Sequence, residues 1–297
     1  MARARNIPEL FDLFRRTHSD ECTRHWREMR VDPTDVFIAT FAKSGTTWMQ
    51  QIVHGLKTRG SMDFREISEV VPFIEVAWDC GIDLNAPQPQ QPRAFKTHAD
   101  AHTVPKGGRY IVVVRNPLDA AVSFYRFMDG WYLETGAVPV EAFVEELVLN
   151  GEKEDRYWSH LTSWWALRDR DDVRLYFFED MKRNLEPVVR DVAAFTGIDL
   201  DDELLEIVLR QSSMEFMKAH EHRFDDNLLR DARDPVLGFP PGSESSKVNT
   251  GRVGGHKAVL APEMIERFDE IWREEVLPVT GAETYDELRV QDGGCVE

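Results

Sequence analysis

Residues 37–48 constrain this chain most: Phe37-Ile38-Ala39-Thr40-Phe41-Ala42, then Lys43-Ser44-Gly45, then Thr46-Thr47-Trp48. The β-branched and aromatic run reads as a buried strand. The Lys-Ser-Gly turn ends it, and a helical pattern with apolar residues at Trp48, Ile52, Val53 and Leu56 follows. A strand passing through a tight turn into a helix N-terminus aims several N–H groups and the positive dipole end at one point. Lys43 adds a cation there, and Ser44, Thr46 and Thr47 add hydroxyls. Such a turn wants an anion with several oxygens, a phosphate or a sulfate.

The rest of the chain alternates strands and helices. Strands are predicted at 93–97, 110–115 and 173–178; the apolar run 110–114 is typical of a parallel strand buried on both faces. Helices are predicted at 46–57, 118–128 (with Pro117 in the first turn), 140–149, 157–167, 186–195, 201–209, 213–218 and 262–275. Residues 67–78 read as short helical pieces broken at Pro72, and the polar, Gly- and Pro-rich segment 220–256 reads as a long mobile loop. The N-terminus and the tail from Gln291 read as flexible. The expected architecture is one α/β domain over 1–297, with its core at about 35–275: a central parallel sheet flanked by helices, P-loop NTPase-like.

With 42% hydrophobic residues the chain has ample material for a core. No apolar run approaches the ~20 residues of a membrane span, and the basic N-terminus lacks the apolar core of a secretory signal. Three cysteines without metal-type spacing fit a reducing cytoplasm. A net charge of −17, spread along the chain, disfavours a nucleic-acid partner. It leaves room for a small anionic ligand in a cleft lit by a few focused cations.

A nucleotide kinase would carry G-x-x-x-x-G-K-S/T, with the lysine after the last glycine. Here Lys43 precedes Gly45 and the first glycine is missing. The most apolar strand ends in Arg115, which recognises a second anion, where a triphosphatase needs a carboxylate for magnesium. Only Glu179-Asp180, after the strand at 173–178, could mimic that carboxylate.

Residues 41–48 are similar to the 5′-phosphosulfate loop (Y-P-K-S-G-T-T-W) of the cytosolic sulfotransferases, enzymes that use 3′-phosphoadenosine 5′-phosphosulfate (PAPS). Phe95-Lys96-Thr97-His98 resembles their K-T-H, and residues 114–125, from Val114-Arg115-Asn116-Pro117 to Ser123-Phe124-Tyr125, resemble the 3′-phosphate motif R-N-x-x-D-x-x-V-S-x-Y. Residues 176–182 resemble F-Y-E-D-M-K. The resemblance implies PAPS as sulfuryl donor, adenosine 3′,5′-bisphosphate (PAP) as product and no metal. It casts His98 as general base, Lys43 as the cation beside the departing phosphate oxygen, and Lys96 as the group steadying the sulfuryl oxygens. It further implies that Ser44, Gly45, Thr46 and Thr47 cradle the phosphosulfate, that Arg115 and Ser123 grip the 3′-phosphate, and that Trp48 and Phe178 flank adenine.

Departures from the family pattern fall near the C-terminus. Its R-K-G-x-x-G-D-W-K aligns with residues 249–257, so Asn249 and Thr250 replace the Arg-Lys pair before Gly251. Arg252 or Lys247 is the candidate for the missing charge. Ser212 and Met214 stand in the T-S-F motif, and the dimer motif is reduced to Lys257 and Glu266, leaving monomer and homodimer open. Phe73, Glu75, Trp78 and Phe127 are expected to line the pocket of a small acceptor, a phenol, steroid or lipid-like alcohol, with Glu75 facing a polar or cationic feature of it. Trp131 and residues 224–239 are candidates to join them; His220 and His222 read as loop residues near the acceptor, and Trp158, Trp164 and Trp165 as packing residues. Transfer to an amine, a kinase, and a non-catalytic nucleotide-binding module remain the alternatives.

Overall fold

Four short runs of Val, Ile, Phe and Ala pair in register because both of their faces are covered: β1 (Val36–Ala39), β2 (Ala94–Thr97), β3 (Arg109–Val114) and β4 (Val173–Phe177). The computed structural model describes residues 3–240, 242, 246–248, 251–291 and 293. The strands form one parallel sheet in the order β2–β1–β3–β4, with Ile38 opposite Lys96 on one side and Ile111 on the other. Side chains alternate: Phe37, Phe95, Tyr110 and Val112 enter the larger core, and Val36, Ile38, Ile111 and Val113 the smaller one. The fold is the expected single α/β domain.

The connections decide where a ligand can sit. The chain leaves β1 toward β2, then crosses to β3 on the far side, so a crevice opens at the C-terminal ends of β1 and β3. Helix α3 (Thr46–Thr58) follows β1, and helix α4 (Pro117–Met128) follows β3. Asn116 caps α4, its side-chain oxygen accepting from Leu118 N at 3.0 Å, and Pro117 occupies the first helical position without a lost hydrogen bond.

Several expectations need correction. Phe178 opens a helix instead of ending β4. Residues 67–78 hold one 3₁₀ turn, Ile67–Glu69, after which Pro72–Ile74 runs along the free edge of β2: Lys96 N donates to Pro72 O (2.8 Å), and Ile74 N to Lys96 O (3.0 Å). Residues 220–256 are no continuous loop, because helix Asn227–Leu237 lies inside them and ends on Gly238 at φ 74°. The N-terminus is ordered as α1 (Ile7–Phe14) and α2 (Asp20–Arg27). Asn6 caps α1, and Leu10 and Leu13 bury in the larger core. Helix Tyr285–Gln291 closes the described chain; the expected tail beyond it falls largely outside the described residues.

Candidate active site

All four strands end at one cavity of about 920 Å³. At the end of β1, Lys43 (φ 64°) and Gly45 (φ 105°) take left-handed backbone, folding the turn back so that the first N–H groups of α3 point into the cavity. Glycine is required at 45, since an added Cβ would lie 3.0 Å from Phe178 Cδ2. Thr46 and Thr40 hydroxyls bond to each other beneath the turn. Ser44 Oγ is buried, with no partner among the described residues, and Ser44 does not line the cavity.

A second polar corner lies at the end of β3. Arg115 Nη1 donates to Lys43 O (2.9 Å) and Nη2 to Arg252 O (3.3 Å), while its guanidinium lies 4.5 Å above the Phe178 ring. Its Nε is buried and has no partner among the described residues. Ser123, two turns into α4, lines the same corner. Asp119 of α4 anchors the facing turn: Oδ2 accepts from Gly254 N (2.7 Å), and Oδ1 from His256 N (3.0 Å) and His256 Nδ1 (2.8 Å). Between the corners, Trp48 and Phe178 meet edge-on at 5.4 Å, and Trp48 Nε1 donates to Ser212 O (2.8 Å). Ser212 Oγ is also buried without a partner among the described residues. Two of these orphaned donors, on Arg115 and Ser212, belong to residues lining the cavity beside Trp48 and Phe178, which fits a ligand that brings a ring and anionic oxygens.

The chemistry-bearing groups gather where the slot meets the rest of the cavity. Lys43 Nζ lies 4.1 Å over the Phe127 ring, and Lys96 Nζ 3.8 Å over Phe73. His98 meets Phe73 edge-on at 5.0 Å, and its Nδ1 donates to Thr40 O at 2.7 Å. That bond selects the tautomer whose Nε2 carries the lone pair, the form a general base needs. Burial, and then the nearby Lys247, lowers Lys43 to about 7; burial and Lys247 lower Lys96 to about 8. Burial, reinforced by Lys96, holds His98 well below the ordinary histidine range. The sequence suggests an unshifted imidazole; His98 is instead half-buried at the cavity wall and stays neutral across physiological pH.

Glu75 lines the cavity, as expected, and one of its oxygens also holds the chain. Its Oε1 accepts from Thr97 Oγ1 (2.6 Å), His98 N (2.8 Å) and Ala99 N (3.1 Å), so it pins the turn that carries His98. Burial pushes its carboxyl up. Trp78 is the clear miss: it is 46% exposed, stacks on His25 at 3.5 Å and does not line the cavity. His220 stacks on Phe216 and donates to its carbonyl; neither it nor His222 lines the cavity. Phe73, Phe127 and Trp131 do line it, as do Asp226 and Leu229 from the 224–239 segment. Trp158, Trp164 and Trp165 are buried packing residues.

Toward the Arg115 corner, Met214, Gly251 and Arg252 line the cavity, Gly251 in left-handed backbone with its carbonyl accepting from Lys182 Nζ at 2.6 Å. Asn249 and Thr250 lie outside the described residues. Lys247 is absent from the Arg115 corner; it pairs with Asp226 near Lys96. Glu179 and Asp180 are not poised for a metal. Glu179 accepts from Asn116 N (3.2 Å) and Tyr285 OH (2.5 Å), and Asp180 holds Arg289 (2.9 Å) and Arg183 (3.0 Å). Sequence reasoning missed Lys182, which stood unassigned in its own motif, and Phe14 and Thr17, which α1 and its following turn bring to the cavity. The Asn6-x-x-Glu9 capping pattern with Pro8 was the available signal for that helix.

Comparison with known proteins agrees with this geometry. The sulfotransferase domain model matches residues 33–280. Sulfotransferase 1B1 of Canis lupus familiaris is 30% identical over 84% of this chain and 85% of its own length. The amine sulfotransferase of Oryctolagus cuniculus is 30% identical over 84% of this chain and 82% of its own. Among solved structures, mouse sulfotransferase SULT7A1 complexed with PAP aligns with a TM-score of 0.65 at 23% identity, covering 87% of this chain and 90% of that one. The strand-end turn at Lys43, the Lys96–His98 pair and the Arg115 corner thus sit in a matched domain spanning most of the sequence, and the chain belongs to the sulfotransferase family.

Proposed function

We propose that the protein transfers the sulfuryl group of PAPS to the hydroxyl of a small apolar acceptor, and that Lys43, Lys96 and His98 carry the transfer. The observation behind this reading is their convergence at the junction of two compartments, a polar slot and an aromatic chamber. Bound PAPS would supply an electrophilic sulfur whose leaving group is a phosphate oxygen. Ser44, Gly45, Thr46 and Thr47 hold that phosphate through helix N–H groups and hydroxyls, and Arg115 and Ser123 hold the 3′-phosphate. Trp48 and Phe178 flank adenine, with Ser212 and Met214 beside it.

His98 Nε2 takes the proton of the acceptor hydroxyl as its oxygen bonds to sulfur. The bond from sulfur to the phosphate oxygen breaks, its electron pair stays on that oxygen, and Lys43 stabilises the charge that develops there. Lys96 neutralises the sulfuryl oxygens. Glu75 keeps the His98 turn in place.

The chamber supports an aromatic or lipid-like alcohol: Phe14, Phe73, Phe127, Met128, Trp131 and Leu229 form much of its wall. A protonated amine would enter against Lys43 and Lys96, so a neutral hydroxyl is the better fit. A cytoplasmic setting suits the free thiols of Cys22 and Cys80. The test incubates the protein with ³⁵S-labelled PAPS and a panel of phenols, steroids, alkanols and amines. Label should appear on a hydroxylated apolar acceptor; label on amines alone would overturn the acceptor class, and label on none would overturn the function.

A further inference from the structure

We infer that Lys247, clamped by Asp226, is a third catalytic cation of the transfer site, bound to the oxygens of the sulfuryl group in flight; this rests on the PAPS-dependent reading above. Lys247 and Asp226 are side chains 6% and 8% exposed, and both line the main cavity. Such a pair is enclosed at a loss of hydration that a merely structural contact does not need. The segment carrying Lys247 is held at three points. Lys247 N donates to Asp225 Oδ1 (2.8 Å), Val248 O accepts from Lys218 Nζ (3.2 Å), and the Val248 side chain packs with Phe64, Ile67, Met217 and Phe224.

Phe73 places this pair beside the reacting groups. Its ring carries Lys96 Nζ on its face and His98 at its edge, and Phe73 shares a second small cavity with Asp226. The charge environment agrees. Lys247 perturbs Lys43, Lys96 and His98, whereas the charges acting on Arg115 are those of Asp119, Glu179 and Tyr285. Held on Asp226, which shares that small cavity with the Phe73 ring under Lys96, Lys247 sits at the sulfuryl end of the ligand. An ammonium has three N–H donors; Asp226 takes one and fixes the direction of the others.

PAP and PAPS separate the roles, because PAP has both phosphates and the adenine but no sulfuryl group. Calorimetry without acceptor should show that Lys247→Met weakens PAPS roughly ten- to a hundred-fold, the range of a lost charge-assisted hydrogen bond, while PAP changes by less than about threefold. Lys247→Arg should restore most of the PAPS affinity. Should Lys247→Met fail to fold, leaving Asp226 buried and unpaired, the double variant Lys247→Met/Asp226→Asn removes both charges and should show the same selective loss. Equal weakening of both ligands, or no weakening of PAPS, overturns the inference. A wild-type protein that binds neither ligand overturns the donor reading itself, and this inference with it.

Discussion

Binding of PAPS at pH 8 should draw protons out of solution. In the empty cavity Lys43 titrates at about 7 and Lys96 at about 8, both pulled down first by burial. At pH 8 about nine-tenths of Lys43 and about half of Lys96 are therefore neutral. A phosphosulfate seated between them favours the charged forms and lifts both values toward the ordinary lysine range near 10.4. The sign follows: the complex binds more protons than the free protein, so affinity weakens as pH rises through 7 and 8. Saturation at pH 8 should take up about 1.4 protons, about 0.9 of them through Lys43. At pH 6 both lysines are already charged, leaving about 0.1, and the ligand's own 3′-phosphate (second pKa near 6) can only release protons there. Calorimetry in two buffers of different ionisation enthalpy reads this number directly. Lys43→Met should remove most of the uptake at pH 8. Zero uptake or net release at pH 8 would refute the claim that these two lysines face the anion.

Three further outcomes follow from the geometry. Arg115→Ala deletes the guanidinium over Phe178 and its bonds to Lys43 O and Arg252 O, so thermal stabilisation by PAP should largely vanish while the unliganded protein still unfolds cooperatively. Gly45→Ala places a Cβ 3.0 Å from Phe178 Cδ2 at φ 105°; strain of about 1–2 kcal/mol should lower the melting temperature and weaken PAP binding together. Trp78→Ala should leave PAP affinity and acceptor KM within about twofold, as a surface change away from the site should; a several-fold rise in KM would put Trp78 back at the acceptor.

The strands and the turn after β1 were legible because their signals are local. Val, Ile and Phe runs mark strands covered on both faces, and the Lys43–Thr47 turn carries its own backbone requirement in Gly45. His98 and Arg115 were legible as residues that follow strands, and parallel strands deliver their C-terminal ends to one crevice. What escaped notice depends on distant contacts. Helix Asn227–Leu237 was hidden by Pro235 and its charged residues; Leu229, Leu237 and the terminal Gly238 were the quieter signals. Nothing local in the sequence shows that Glu75 Oε1 closes on Thr97, His98 and Ala99. Trp78, three residues on, points the other way once Pro72–Ile74 has paired with β2. The Lys247–Asp226 pair joins a helix start to a segment 21 residues further along, which no periodicity announces. The depressed histidine follows from enclosure, a property of the finished cavity.

In the proposed transfer His98 Nε2 receives the acceptor's proton. The most direct test of this step is a single-turnover transfer of ³⁵S from PAPS to the best acceptor of the panel, comparing wild type with His98→Ala at saturating donor. The account predicts a transfer rate lower by about 10²–10⁴-fold, the usual contribution of a positioned general base, with PAP affinity unchanged within a few-fold. Transfer by His98→Ala at the wild-type rate would contradict it.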